Sequence, residues 1–85
     1  MDVNDPPPEG STARLHWLEA QAEAAYDALY DAAAGSAQAA RYNDAKEYLH
    51  DAIGLARRLG LEGTAQRLEE RLTEIKTIYR TQFPP

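Results

Sequence analysis

The residue pair with the clearest chemical spacing in this 85-residue chain is Glu47-x-x-His50. An i, i+3 pair places a carboxylate and an imidazole on one helix face, as in four-helix bundles that hold two iron ions. Such a centre also needs a second pair and two more inward-facing carboxylates, and His16 with Glu19 does not complete that set. Because Glu47 and His50 fall on the polar side of their predicted helix, we expect no metal site.

Catalytic residues are equally scarce. The chain has no cysteine, two histidines and two serines, and these do not form a nucleophile paired with a base. It contains neither a glycine-rich phosphate loop nor a G-x-S-x-G motif, and its carboxylates are spread along exposed faces. The sequence therefore predicts a protein that is not an enzyme and that binds no cofactor.

Charge limits the classes of partner. Fourteen acidic and nine basic side chains give a net charge of −5, which repels nucleic acid and anionic lipid. Residues 56–67 resemble the turn of a helix-turn-helix motif, but the following helix would direct Glu62, Glu69 and Glu70 at phosphates. DNA binding is thus the least favoured alternative. The chain also lacks the roughly 18 consecutive apolar residues that a membrane helix requires, so we expect a soluble protein.

An unusual apolar stripe lies on the first predicted helix, opposite its core stripe. It is formed by Ala13, Trp17, Ala20, Ala24 and Ala28, where a bundle helix is normally polar. An exposed Trp beside small side chains is typical of an interface against which another helix can lie closely. The alternative is that alanine only supports helix formation here and that Trp17 folds over the end of the bundle.

Beside this stripe, an acidic row repeats at i, i+4 through Glu19, Glu23, Asp27 and Asp31. The row could attract a basic peptide, receive Arg41, Arg57 and Arg58 from the second helix or another subunit, or remain a solvated face. Tyr30 borders it as a rim residue or a partner contact, and Tyr26 is expected at the edge of the core. The predicted partner-binding residues are Trp17, Ala20, Glu23, Ala24, Asp27, Ala28, Tyr30 and Asp31.

Composition predicts the elements that must position these residues. Sixteen alanines and nine leucines, against only four valines and isoleucines, favour an all-α fold. Residues 1–10 are acidic and proline-rich and predict a disordered tail. Residues 11–83 predict one domain with helices at 12–34, 37–59 and 64–82, and the polar start of the chain favours a cytoplasmic location.

Local signals set the predicted helix ends. Ser11 caps the first helix and Gly35 ends it, after which the second helix begins at Ala37 or at Asn43. Gly60 ends the second helix. Apolar residues then recur at spacings of three and four on every helix, which predicts an up-down-up antiparallel three-helix bundle. The predicted core stripes are Leu15, Leu18, Ala22, Ala25, Leu29 and Ala32; Tyr42, Ala45, Leu49, Ala52, Ala56 and Leu59; and Ala65, Leu68, Leu72, Ile75 and Tyr79.

Residues 41–80 resemble a tetratricopeptide repeat. Tyr42, then Ala45, Leu49 and Ala52, follow the family's order of aromatic, small, large and small residues on the second helix of a repeat. The resemblance implies a tetratricopeptide-like bundle whose Ala-rich first helix would line the concave groove. The chain departs from the family in having Ala40 at the usual turn glycine, and its length suffices for only one and a half repeats.

Together these features predict a non-enzymatic protein-protein interaction module. Its partner is a protein or a second copy of the chain, with no nucleic acid, membrane or small-molecule substrate indicated. A self-associating structural protein, such as a homodimer, is the first alternative, because so Ala-rich a core leaves little stability to spare.

Overall fold

The computed structural model describes residues 5–83, which form three α-helices joined by two short turns. Helix α1 spans Thr12–Asp31, α2 spans Ser36–Arg58 and α3 spans Glu62–Gln82. This described part of the chain contains no strand. Because α2 packs against both of the other helices, the predicted small all-α three-helix bundle is confirmed.

Helix α1 is well capped at its start and ends early. Ser11 accepts a hydrogen bond from the Arg14 backbone N–H at 3.0 Å. The helix ends at Asp31 instead of residue 34, and the Ala32 backbone that follows is extended. The last turn carries no basic side chain, so Asp27 and Asp31 place negative charge at the negative end of the helix dipole and disfavour further turns.

The start of α2 also differs from the prediction. Gly35 is the N-cap of α2 at φ 86° and does not terminate α1. Ser36 is the first helical residue, so neither Ala37 nor Asn43 begins the helix. Glycine adopts this positive φ without the steric cost that a Cβ would bring, which lets the chain reverse direction within a few residues.

The turn from α2 to α3 is set by Gly60, at φ 77°. Its N–H donates to the Arg57 carbonyl at 3.0 Å, and the Leu61 N–H donates to the Ala56 carbonyl at 2.8 Å. This pair of bonds is a Schellman motif, which satisfies carbonyls at the end of α2. The motif delivers Leu61 directly as the N-cap of α3, so α3 begins at Glu62, earlier than the predicted residue 64.

The core follows the three predicted stripes, except that Ala32, Tyr42, Leu59 and Tyr79 are only partly buried and that Ile53 and Leu55 of α2 are buried as well. Every buried side chain among the described residues is apolar. Alanines occupy many of these positions, which lets the helix backbones approach closely. The buried residues are Leu15, Leu18, Ala22, Ala25, Leu29, Ala45, Leu49, Ala52, Ile53, Leu55, Ala56, Ala65, Leu68, Leu72 and Ile75.

The helices form a flat arrangement with α2 in the middle. The principal dimensions are 37 × 31 × 13 Å, and α1 and α3 approach one another less closely than either approaches α2. Arg67 contacts Glu19 and Arg71 contacts Glu23, both across 48 residues of sequence. The second pair lies one helical turn further along both helices, at the same sequence separation, so α1 and α3 run parallel. The long side chains of these pairs bridge the gap between the two helices.

The described part of the predicted tail, residues 5–10, forms no helix. The Pro8 carbonyl accepts a hydrogen bond from Ser11 Oγ at 2.6 Å, and the Pro7 carbonyl accepts one from Arg14 Nη1 at 3.2 Å. These bonds fasten the end of the segment to the first turn of α1. The remainder of the predicted tail lies outside the described residues.

Candidate functional site

Helix α1 has three faces, and the predicted partner-binding residues are distributed among them. One face packs on α2, the second is directed toward α3, and the third faces away from the bundle. Ala20, Ala24, Asp27, Tyr30 and Asp31 are exposed, whereas Trp17, Glu23 and Ala28 are partly covered.

The acidic row divides into a paired half and an unpaired half. Arg71 donates from Nε and Nη2 to the two carboxylate oxygens of Glu23, each at 2.8 Å. Arg67 Nη2 donates to Glu19 Oε1 at 2.7 Å. The first two residues of the row therefore fasten α1 to α3, and they are not free to meet a partner without breaking these bonds.

The interpretation in which this row receives Arg41, Arg57 and Arg58 is wrong within the chain. Arg41 pairs with Asp44 of its own helix at 3.4 Å, and Arg57 pairs with Glu69 of α3. The reason is topological: the basic side chains that reach the paired half of the row come from α3, which runs parallel to α1.

The Glu23–Arg71 pair makes stability depend on pH. Hydrogen bonds from Arg71 hold the pKa of Glu23 below its usual value. A carboxyl group whose folded pKa is lowered stabilises the fold above its unfolded pKa of about 4.3, and the contribution disappears as the pH falls through the folded value. Since the Glu23 side chain is 47% exposed, the pair contributes on the order of 0.5 kcal/mol.

We therefore expect Glu23→Gln to lower the free energy of unfolding by about 0.5 kcal/mol at neutral pH and by less at about pH 3, which lies below the unfolded pKa and nearer to the folded one. Urea unfolding at both pH values measures this difference. Asp27→Asn is the control, because Asp27 forms no ion pair with any described residue. An equal loss for Glu23→Gln at both pH values would contradict the assignment.

Trp17 is not the exposed anchor that the sequence predicts. Its ring packs edge-on against Tyr48 of α2, with centroids 5.9 Å apart, and the Arg14 guanidinium lies 5.1 Å from the ring centroid. Both aromatic rings lie against the core. Trp17 therefore packs on the bundle and is only partly exposed, because the contact with Tyr48 removes apolar ring surface from water.

On the side of α1 that faces away from α2 and α3, Ala13, Ala20, Ala24, Asp27 and Asp31 form a surface that we call the outer face; the other exposed residues of the helix are Thr12, His16 and Tyr30. All five residues are exposed and lie within one narrow sector of the helix. Neither aspartate has an ion-pair partner among residues 5–83. The outer face thus combines a surface without large side chains and an uncompensated negative charge.

Tyr30 lies at the edge of the outer face and belongs to a continuous row of five aromatic rings that crosses all three helices. We call it the aromatic row. Centroid distances are 5.4 Å for Tyr26–Tyr30, 5.4 Å for Tyr30–Phe83, 5.6 Å for Tyr79–Phe83 and 3.8 Å for Tyr42–Tyr79. Part of the aromatic row could be predicted from the sequence, because Tyr26 and Tyr30, and also Tyr79 and Phe83, are spaced i, i+4. The sequence does not indicate that these two pairs contact one another.

The aromatic row fixes the position of Tyr30. Its hydroxyl lies 2.7 Å from the Tyr26 hydroxyl and donates to Gln82 Oε1 at 3.4 Å. Burial, followed by the hydrogen bond with Tyr30, raises the pKa of Tyr26 to about 12, so the Tyr26 hydroxyl is neutral at physiological pH. Tyr30 is nevertheless 51% exposed, which makes it a large, oriented contact beside the outer face.

Glu47 and His50, the pair whose spacing resembles that of metal ligands, are exposed on α2. No group of three or more His, Asp or Glu side chains within residues 5–83 is placed to hold a metal ion. Among the same residues, no helix combines the length and the apolar character that crossing a membrane would require.

Comparisons with protein-family models, curated proteins and solved structures find no match for this chain. The tetratricopeptide resemblance of residues 41–80 therefore stays a prediction from the sequence.

Proposed function

We propose that this protein is a non-enzymatic interaction module that binds a basic helical segment of a partner protein on the outer face of α1. One observation carries the proposal. Helix α1 packs on α2 with one side, and a second side forms ion pairs with the α3 arginines. The third side faces away from both helices and exposes Ala20 and Ala24 beside the unpaired Asp27 and Asp31. A cytoplasmic location remains part of the proposal.

The shape of the outer face favours a helix as the bound element. Alanine side chains at Ala20 and Ala24 let a second helix backbone approach closely, and such contacts gain dispersion energy over many atoms. Tyr30 adds an oriented aromatic ring at one edge, where aromatic anchors are common in interfaces. The charge of the outer face selects a partner with Lys or Arg near its contact residues.

The same charge argues against a second copy of the chain as the occupant. In a dimer formed through two outer faces, Asp27 and Asp31 of one copy would lie close to Asp27 and Asp31 of the other. Like charges in an interface are unfavourable. Large exposed apolar side chains among the described residues are limited to Tyr30 and Leu61. We expect sedimentation equilibrium to give the monomer mass of 9.4 kDa. A dimer that Ala24→Arg dissociates would instead assign the outer face to self-association.

We expect Ala24→Arg to weaken partner binding by about tenfold or more. The arginine side chain would prevent the partner helix from approaching closely, and its positive charge would repel a basic partner. Arginine is a good helix former, so the exposed substitution leaves the fold intact. The measurement is quantitative affinity capture from cells of the source organism with the wild type, Ala24→Arg and Ala40→Arg as baits. Ala40→Arg is the matched control, since Ala40 is exposed on α2 and receives the same side chain.

Proteins that both the wild type and Ala40→Arg retain but Ala24→Arg loses would support the proposal. Among them, a partner bound through the outer face should also bind less tightly to the Asp27→Asn, Asp31→Asn double variant. Identical captured sets for all baits would contradict the proposal.

A further inference from the structure

On the opposite side of the molecule, the seam between α2 and α3 contains a cleft of about 310 Å³. It is lined by Asn43, Lys46, Glu47, His50 and Lys76. The two lysines are the only lysines of the chain, so this acidic protein places both of them in the lining of one small cleft. We propose that the cleft binds a small phosphate-bearing anion.

The charges in the cleft are not compensated as they are elsewhere in the bundle. Farther along the same seam, Arg57 of α2 pairs with Glu69 of α3. Between α1 and α3, Arg67 and Arg71 each pair with a glutamate of α1. Lys46 and Lys76 form no ion pair with any described residue, and Glu47 is the only carboxylate in the lining. Two like charges on facing helices reduce stability slightly, and a bound anion would remove that cost.

Contacts with the aromatic row hold one of the ammonium groups in place. The Lys46 ammonium lies 4.2 Å from the centroid of the Tyr42 ring. Tyr42 is itself stacked on Tyr79 of α3, with an interplanar angle of 4°. Lys46 is therefore positioned before a ligand arrives, which reduces the entropy lost on binding.

Phosphate fits this set of donors better than a carboxylate does. A phosphate group carries a charge between −1 and −2 near neutral pH and several acceptor oxygens, so it can accept from both ammonium groups at once. The Asn43 amide supplies a neutral donor beside them. A carboxylate group offers one negative charge and two acceptor oxygens at one point of contact, whereas a phosphate group offers more of both.

The Tyr42 ring next to the cleft is not open for stacking by a nucleobase. One side of the Tyr42 ring faces Tyr79 at 3.8 Å between centroids, and Lys46 covers the ring as well. We therefore expect the phosphate group alone to be recognised, whether it is free or attached to a larger molecule.

The test is a chemical-shift titration and calorimetry with inorganic pyrophosphate, ADP and succinate. Lys46→Gln/Lys76→Gln is compared with Arg41→Gln/Arg58→Gln, which removes the same charge from exposed positions outside the cleft. Circular dichroism is used to check that both double variants keep their helices. Replacing the two lysines breaks no ion pair with a described residue.

We expect pyrophosphate to bind the wild type at millimolar concentration, to shift α2 and α3 amides at the cleft, and to lose about tenfold in affinity only in the lysine variant. ADP should bind within about threefold of pyrophosphate, and succinate about tenfold more weakly. Absence of saturation, equal losses in both double variants, tenfold tighter binding of ADP, or equal binding of succinate would overturn the proposal.

Discussion

Replacing Leu49 by alanine is expected to lower the free energy of unfolding by about 3 kcal/mol. Leu49 is 1% exposed and lies on the central helix, beneath the ion pairs that join α1 and α3. Those pairs and the buried alanines around it hold the neighbouring helices at fixed spacing, so the cavity cannot close fully. For a domain of this size the loss is a large part of the total stability.

Urea unfolding followed by circular dichroism measures this change, with Leu61→Ala as the control. Leu61 is 39% exposed, so the same truncation there is expected to cost less than about 0.5 kcal/mol. Equal losses for the two variants would mean that α2 is not the packed centre of the bundle.

The second large effect is expected at the Tyr42–Tyr79 stack, which joins the start of α2 to the end of α3. Both rings are partly buried, and their centroids lie 3.8 Å apart. Tyr79→Ala removes this contact and also the stacking of Phe83, so we expect a loss of about 2 kcal/mol. Tyr79→Phe keeps the ring and should cost less than about 0.5 kcal/mol.

A double-mutant cycle with Tyr42→Ala isolates the stack itself. We expect a coupling energy of about 1 kcal/mol, because the two rings contact one another directly and each single variant already removes the pair. Additive losses would show that the rings contribute only their separate burial.

The core could be predicted from spacing because burial follows helical phase. Leu15, Leu18 and Leu29 lie on one side of an ideal helix, and they are buried here for that reason. The end of α1 was harder to predict, since alanine continues a helix by propensity. The helix instead stops where two aspartates lie close to its negative end, at Asp27 and Asp31.

The candidate site was predictable only in part. The exposure of Ala20 and Ala24 follows from phase alone, and it appears as predicted. The direction of Trp17 depends on Tyr48, and the pairing of Glu23 depends on Arg71, which follows 48 residues later. Such contacts are fixed by the register of the packed helices, which the local sequence does not encode.

The same reasoning explains why the lysine cleft and the aromatic row were missed. Lys46 and Lys76 are far apart in the chain, and each alone resembles an ordinary surface residue. Only the antiparallel packing of α2 on α3 places the two lysines in one cleft, which lies beside the stacked rings of Tyr42 and Tyr79.

The central claim is that the outer face of α1 binds a partner, and site-specific crosslinking tests it most directly. The chain contains no cysteine, so a single introduced thiol provides a unique attachment point. Ala24→Cys and Ala40→Cys, each labelled with a photoreactive maleimide, are irradiated in extract from the source organism. We predict a discrete covalent adduct with a basic protein from Ala24→Cys and none from Ala40→Cys. Equal adducts from both positions, or an adduct from Ala40→Cys alone, would contradict the claim.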